Sequence, residues 1–209
     1  MEIQYYGANC VSLSVKKATI TIDDNLVDVG LKSVTKNGDI SLFTTEQPSV
    51  KAGPKIVIDQ PGEYEVSDIS IKGITARAHM DEADKKTATM FKIISEDIRV
   101  AVVGHIYPDL NDAQLEALGT IDVLIVPVGG NGYTLDGIGA LKLIKKIEPK
   151  IIIPTHYDDS AVSYEVSQAS LVDTLKELAM EPKETTPKLK LKAGEILGES
   201  NQLIILERQ

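Results

Sequence analysis

The chain has 209 residues, of which 43% are hydrophobic and 25% are charged, and these proportions are typical of a soluble globular protein. A formal net charge of -9, with scattered Lys and Arg, argues against nucleic acid as a partner. No apolar run approaches the roughly 20 residues that span a bilayer, so no membrane association is predicted. The single cysteine, Cys10, excludes an internal disulfide and predicts a cytoplasmic protein.

Short alternating or apolar stretches fill the first half of the chain and predict β-strands. The segment 26–36 has mixed signals and is interpreted as either a short helix or a loop. The predicted strands are residues 1–6, 11–15, 18–22, 39–43, 55–59, 63–66, 68–76, 87–95 and 97–103.

Helical periodicity appears only in the second half, where helices alternate with apolar strands. Helices are predicted at 111–118, 135–147 and 166–180, and strands at 123–128, 151–154, 188–191 and 202–206, with a loop at 182–187. Strands followed by a βαβα pattern predict an α/β protein in which two sheets lie between helices, as one domain of residues 1–209.

Three of the apolar strands end in residues that could form a functional rim. The strand ending at residue 103 runs into Gly104 and His105, another runs into Gly129 and Gly130, and a third runs into His156. If the three strands share a sheet, their ends meet at one edge, where layered α/β folds usually bind ligands. The glycines leave space for a ligand there, or they simply allow a tight connection to the next helix.

Several motifs together resemble the metallo-β-lactamase-fold superfamily, in particular its small Zn-dependent hydrolase family. The resemblance covers roughly residues 1–160, and it lies in residues 7–10 (GANC), 21–23 (TID), 58–65 (IDQPGEYE), 127–130 (PVGG) with Tyr133 and Thr134, and 154–157 (PTHY). The resemblance implies a four-layer αββα sandwich with one or two metals at the strand rim, which activate a water for hydrolysis.

The metal motif implied by this resemblance is not conserved in the chain. The family places H-x-H-x-D-H after the strand at 39–44, but the ligand positions here hold Thr45, Gln47, Ser49 and Val50. Valine cannot bind a metal, and neutral oxygens are weak zinc ligands. The Gly-Asp that the family has after a later strand is replaced by a glycine and His105. We therefore expect no family-type pair of metals.

All three histidines, His79, His105 and His156, fall where the family places metal ligands. They could hold one zinc or other divalent metal, leaving a fourth position for a water whose pKa falls toward ~7. Alternatively, His79 and His156 hold loops by hydrogen bonds, and His105 is a polar replacement. Candidates for a fourth ligand, each of which could instead be a solvated loop charge, are Glu46, Asp81 and Glu82.

Further residues are predicted to line or support a pocket at the rim. Asp23 and Asp59 either orient a histidine or stabilise a turn, and Tyr133 and Tyr157 either line the pocket or cover the sheet end. The predicted pocket comprises Thr45, Gln47, Asp59, Gly129, Gly130, Tyr133 and Tyr157.

Two functional hypotheses follow from these residues. The first is a pseudoenzyme that lacks the dinuclear site and binds a small-molecule ligand or serves as a scaffold, as a homo-oligomer. The alternative is a hydrolase of a small ester, lactone or phosphorylated compound that uses one metal held by His79, His105 and His156. That substrate class comes from the resemblance alone.

Overall fold

In the computed structural model, which describes residues 1–46, 53–196 and 201–209, the first β-sheet contains six strands. Its order is β13-β1-β2-β3-β4-β5, with strands β1 (Glu2–Gly7), β2 (Cys10–Ser14), β3 (Thr19–Ile22), β4 (Ile40–Leu42), β5 (Ile56–Ile58) and β13 (Leu189–Lys190). Strands β1 to β3 form an antiparallel meander, whereas β4 and β5 continue parallel to β3. The meander predicted for the N-terminus is therefore confirmed.

The second sheet has eight strands among the described residues. Its order is β12-β14-β11-β10-β9-β8-β7-β6, with strands β6 (Gly62–Val66), β7 (Ile69–Ala76), β8 (Ala88–Ser95), β9 (Ile98–Val102), β10 (Val123–Pro127), β11 (Ile151–Thr155), β12 (Glu184–Thr186) and β14 (Gln202–Leu206). Strands β9, β10 and β11 are parallel neighbours, so their carboxyl ends meet at one edge. This arrangement confirms the common rim predicted from the sequence.

Strand β10 shows why the central strands read as unbroken apolar runs. Val123 and Ile125 point into the core between the two sheets, while Leu124 and Val126 point into a second core beneath the helices. All of these side chains are almost fully buried. A strand covered on both faces needs no polar alternation, which explains the apolar run in the sequence of β10.

The second core lies between the eight-stranded sheet and three helices, α1 (Asp112–Leu118), α2 (Gly137–Ile147) and α3 (Leu171–Leu178). Asn111 begins α1 with a reciprocal capping box to Gln114. The predicted start of the third helix, residue 166, is wrong. Ser170 caps α3 instead by accepting the backbone N–H of Asp173, and the preceding residues remain in a loop.

The six-stranded sheet is covered differently. No α-helix occurs within residues 1–46 and 53–111; a 3-10 helix at Leu26–Val29 is followed by a loop. The Asp24 carboxylate holds this loop by accepting bonds from the backbone N–H groups of Val34 and Thr35. Both interpretations of the segment 26–36, helix and loop, are thus partly realised.

One strand was missed by the sequence analysis. Residues 182–187 were predicted as a loop, but Glu184–Thr186 form β12 at the edge of the eight-stranded sheet, parallel to β14. Edge strands are short and polar, so their sequence resembles a loop.

Among the helices in the described part of the chain, none combines the length and apolar character needed to cross a membrane.

Candidate functional site

A cavity of about 310 Å³ opens at the rim where the two sheets end. The residues lining it come from the ends of β1, β3, β4, β9, β10 and β11 and from the loop after β11. They are Ala8, Asn9, Asp23, Asn25, Asp28, Val29, Thr44, Thr45, His105, Tyr133, His156, Ser163, Tyr164, Glu165, Val166 and Gln168.

On the side of the six-stranded sheet, the cavity is organised around Asp23. This buried residue follows β3 with a positive φ of 49°, and its two carboxylate oxygens accept from the backbone N–H and the hydroxyl of Thr44, each at 2.7 Å. Burial raises the pKa of Asp23 to about 6, although both bonds from Thr44 oppose the rise. The Asp23 carboxylate therefore ties the end of β3 to the segment that follows β4, and both of the bonds described for it go to Thr44 rather than to a histidine.

Thr44 also connects the two sheets at the rim. Its side chain packs so closely against Gly104, at the end of β9, that a Cβ atom on Gly104 would overlap it. Gly104 has a φ of +61°, in the left-handed region that favours glycine. The glycine before His105 is therefore required by packing and backbone conformation together.

His105 is held by a side-chain amide. The hydroxyl of Thr155 donates to Oδ1 of Asn9 at 3.0 Å, which turns Nδ2 of Asn9 toward Nε2 of His105, also at 3.0 Å. Nε2 therefore accepts a hydrogen bond, and the ring proton lies on Nδ1. Nδ1 of His105 is buried and has no hydrogen-bond partner among the described residues.

His156 is fixed by a second amide. Nε2 of Gln168 donates to the carbonyl oxygen of Val166 at 2.6 Å, which leaves Oε1 to accept from Nδ1 of His156 at 3.1 Å. The lone pair of His156 therefore lies on Nε2. The residue is only 4% exposed and adopts a left-handed backbone with a φ of 56°.

Gly129 is necessary for this arrangement. A Cβ atom at Gly129 would overlap both the carbonyl oxygen of His156 and the amide of Gln168. The backbone oxygen of Gly129 also accepts from the N–H of Ala169 at 2.8 Å. Gly129 thus provides space for protein groups at the rim, and the tight-connection alternative describes it better than ligand access.

Four rings form a contiguous group in the cavity wall. The centroids of His105 and His156 are 4.5 Å apart in an edge-to-face contact, Tyr133 lies 4.9 Å from His105, and Tyr164 lies 4.9 Å from His156. Burial lowers the pKa of His105 to about 3, with a further contribution from His156, and lowers the pKa of His156 to about 4. Both imidazoles are therefore neutral at pH 7.

His79 lies beside this group but does not line the cavity as described. Its backbone N–H donates to the carbonyl oxygen of His105 at 2.7 Å, and its ring lies 6.2 Å from Tyr107. Like that of His105, its Nδ1 is buried without a hydrogen-bond partner in the described part of the chain.

The candidate fourth ligands are directed elsewhere or are exposed. Asp81 accepts from the backbone N–H groups of Ala78 and Thr87 and so closes its own loop. Glu82 lies 3.5 Å from the ammonium of Lys85, and Glu46 is exposed. The interpretation of these three as loop charges fits their surroundings better.

The predicted pocket is reproduced in part. Thr45 and Tyr133 line the cavity, and Gln47, Ser49 and Val50 lie outside the described residues. Among the lining residues that are described, Asp59, Gly129, Gly130 and Tyr157 do not occur. Tyr157 packs against Tyr5, with ring centroids 5.8 Å apart, so it covers the sheet end.

Three important lining residues were missed by the sequence analysis: Asn9, Tyr164 and Gln168. Asn9 lies in the GANC segment that carried part of the resemblance, so a signal for it existed. Tyr164 and Gln168 lie in an irregular loop with no periodicity to indicate their direction.

A metal does not fit the described donors. No three His, Cys, Asp or Glu side chains among residues 1–46, 53–196 and 201–209 gather into a group that could hold one ion. Nε2 of His105 accepts from Asn9 and both oxygens of Asp23 accept from Thr44, whereas His156 keeps the lone pair on its Nε2. The three histidines are therefore not gathered around one point among the described residues, and Gln47, Ser49 and Val50 lie outside them.

Comparison with known proteins decides the family. A family profile described as the β-lactamase superfamily domain matches residues 2–156. The chain belongs to the β-lactamase superfamily. This β-lactamase superfamily member is 33% identical over 178 residues to a UPF0173 protein of Pyrococcus furiosus, which covers 75% of the chain and 83% of that relative. A UPF0173 metal-dependent hydrolase of Carboxydothermus hydrogenoformans is 43% identical over 44 residues, covering 21% of the chain and 19% of that relative.

Solved structures agree with this assignment. A candidate Zn-dependent hydrolase of the metallo-β-lactamase superfamily from Thermotoga maritima matches 100% of the chain and 99% of its own, with a TM-score of 0.75 and 25% identity. Igni18, a metallo hydrolase from Ignicoccus hospitalis, covers 99% of the chain and 94% of its own, with a TM-score of 0.62 and 16% identity, and so shows the fold alone. The predicted resemblance and the α/β sandwich class are confirmed.

Proposed function

We propose that this β-lactamase superfamily member is a metal-independent binding protein whose rim cavity takes a small polar molecule. The observation that carries the proposal is that the Asn9 amide donates to Nε2 of His105 and so takes up the one lone pair of that ring. A histidine that binds a metal needs this lone pair for the ion. Of the two histidines of the rim, only His156 keeps a nitrogen for an ion, because Gln168 accepts from its Nδ1 and leaves the lone pair on Nε2.

The chemistry of the cavity supports a small polar ligand. Its volume of about 310 Å³ lies at the lower end of the range for small-molecule sites, about 300–1,000 Å³. Nδ1–H of His105 is a donor and Nε2 of His156 an acceptor, and the two rings are in direct contact. One ligand hydroxyl can accept from the donor and donate to the acceptor, and neither ring has to gain or lose a proton.

The direct test is the metal content of untagged protein purified without chelators, measured by inductively coupled plasma mass spectrometry. We expect much less than one zinc per chain. A matched variant that restores two family ligands, Thr45→His with His105→Asp, is expected to retain more zinc than the wild type. A stoichiometric pair of zinc ions in the wild type would end the proposal.

The second candidate is the hydrolase with one metal on His79, His105 and His156. The buried Nδ1 of His79, which has no hydrogen-bond partner among the described residues, and the lone pair on Nε2 of His156 favour it. When bound, a divalent metal would lower the pKa of its water and supply a nucleophile. Zinc titration by calorimetry separates the candidates, since the hydrolase requires stoichiometric binding that is abolished by His79→Gln. The binding-protein proposal requires no zinc binding in either chain.

The wider context of the proposal includes self-association and location. We propose a homo-oligomer in the cytoplasm, since the single cysteine fits a reducing compartment and the net charge of -9 disfavours nucleic acid as a partner. Light scattering coupled to size-exclusion chromatography tests the homo-oligomer, and a mass of one chain at micromolar concentration would exclude it.

A further inference from the structure

The charge of the cavity limits the ligands that it can accept. Three described lining residues are acidic, namely Asp23, Asp28 and Glu165, and none of the described lining residues is Lys or Arg. Asp28 and Glu165 are solvent-exposed, whereas Asp23 is buried below them. A concave site lined by one sign of charge attracts the opposite sign and repels its own. Phosphorylated and carboxylate compounds are therefore disfavoured.

The four rings of the wall add a second, independent preference. The rings of Tyr133, His105, His156 and Tyr164 all line the cavity, and successive rings in this order have centroids 4.9, 4.5 and 4.9 Å apart. The faces of tyrosine rings carry negative partial charge, which attracts organic cations that lie within about 6 Å of a centroid. Tyr133 and Tyr164 supply two such rings to the cavity wall.

We propose that the cavity binds a small organic cation of the methylated or quaternary ammonium class. The inference rests on the proposed function above and names its ligand class. A trimethylammonium group has no N–H, so it needs no hydrogen-bond acceptor and is recognised by ring faces and nearby carboxylates. A hydroxyl on the same molecule can donate to Nε2 of His156, the nitrogen that keeps its lone pair.

Inorganic cations fit the same cavity less well. Divalent ions need several oxygen or nitrogen ligands arranged around one point, and the described residues provide no such group. A bulky cation with a dispersed charge is weakly hydrated and loses little when it leaves water for the ring faces. Size sets a further limit, because about 310 Å³ accommodates a compound of a few carbons rather than a long chain.

The test is a calorimetric titration of the full chain with choline and with its neutral isostere, 3,3-dimethyl-1-butanol, at low salt. We expect choline to bind about tenfold more tightly than the isostere, because the two differ only in charge. Acetate is expected not to bind. A parallel titration with Nε-trimethyl-lysine distinguishes a free compound from a side chain bearing the same group.

Variants then locate the binding. Tyr133→Leu should weaken choline binding about tenfold, since Tyr133 contributes one of the ring faces. The matched control is Tyr107→Leu, because Tyr107 is 39% exposed and Tyr133 is 40% exposed, but Tyr107 does not line the described cavity. Glu165→Gln should weaken binding about twofold to fivefold and reduce its dependence on salt.

The outcomes separate this inference from the proposed function. Equal affinity for choline and the neutral isostere, tighter binding of acetate, or equal losses in the Tyr133 and Tyr107 variants would overturn the cationic ligand but leave a binding cavity. Absence of binding by every probe also overturns the inference. Stoichiometric zinc, by contrast, overturns the proposed function itself, whatever choline does.

Discussion

The two sides of the cavity bury ionisable groups of opposite kinds, a carboxylate on one side and imidazoles on the other. The side formed by the six-stranded sheet buries a carboxylate, Asp23, whose pKa is raised to about 6 and whose oxygens are both occupied by Thr44. The side formed by the eight-stranded sheet buries two imidazoles whose pKa values are lowered to about 3 and about 4. In each case burial favours the neutral form of the group.

The histidine side of the cavity is distinguished by close packing around Gly129. The substitution Gly129→Ala would disrupt this packing. The added Cβ atom would overlap the carbonyl oxygen of His156 and the amide of Gln168, and displacing that amide would break its bond to Nδ1 of His156. We expect a loss of about 3 kcal/mol in the free energy of unfolding, measured by urea denaturation.

The matched control for this substitution is Gly132→Ala. Nothing lies within 4 Å of a Cβ atom there, and the φ of +76° leaves only backbone strain of about 1 kcal/mol. Equal losses in the two variants would show that the rim does not pack as described.

The two sides of the cavity change the stability of the fold with pH in opposite directions. The folded-state pKa values of His105 and His156 lie below the ordinary value of 6.5, so their contribution is complete above pH 6.5 and is lost as pH falls below it. The folded-state pKa of Asp23 lies above its ordinary value of 3.8, so Asp23 has the opposite effect and disfavours folding as pH rises toward 6.

Because the two histidines outweigh Asp23, we expect the free energy of unfolding to fall by about 1.4 kcal/mol per pH unit between pH 6 and 5. Urea denaturation at each pH measures this loss. His156→Gln should reduce this slope to nearly zero. A slope of the same size in the variant would contradict the neutral, buried state of His156.

The carboxylate side is tested by Thr44→Val, which keeps the shape of the side chain but removes its hydroxyl. Oδ2 of Asp23 then loses its donor, and we expect a loss of about 1.5 kcal/mol at pH 7. The pKa of Asp23 should rise further, since the lost bond had lowered it. Its titration, followed by carboxyl carbon NMR, and urea denaturation at pH 5 and 7 check both effects, and the loss should be smaller at pH 5.

The smallest expected effect is the change in Tm on chelation. This measurement tests whether an ion bridges the two sides of the cavity. Without a bound metal, EDTA and added zinc should each change the Tm by less than about 1 °C. A metal present at 100 times its Kd would instead stabilise the fold by about 2.7 kcal/mol. A large zinc-dependent rise in Tm would contradict the metal-independent site.

Much of the scaffold could be predicted because burial leaves a clear mark on sequence. The apolar runs of β10 and β11 indicated strands covered on both faces, and the ends of β9 and β11 placed His105 and His156 at one edge. Residues close to a strand end inherit their position from the strand, which is why Thr45 and Tyr133 were found among the lining residues.

The partners of the histidines could not be predicted in the same way. Asn9 and His105 are 96 residues apart in the sequence, and Gln168 reaches His156 from an irregular loop. Such contacts depend on tertiary packing and leave no local period. The same loop explains the error in α3, because residues 166–170 fit a helical pattern but are held by the cavity instead.

The left-handed backbone of His156 has a consequence for how the cavity meets its ligand. A glycine would adopt this conformation freely, so an imidazole here stores on the order of 1–2 kcal/mol of local strain. The bonds from the His156 N–H to Ala8 and from its ring to Gln168 hold it in place. The ring is therefore pre-set rather than recruited, and an incoming molecule must conform to a group that cannot swing aside.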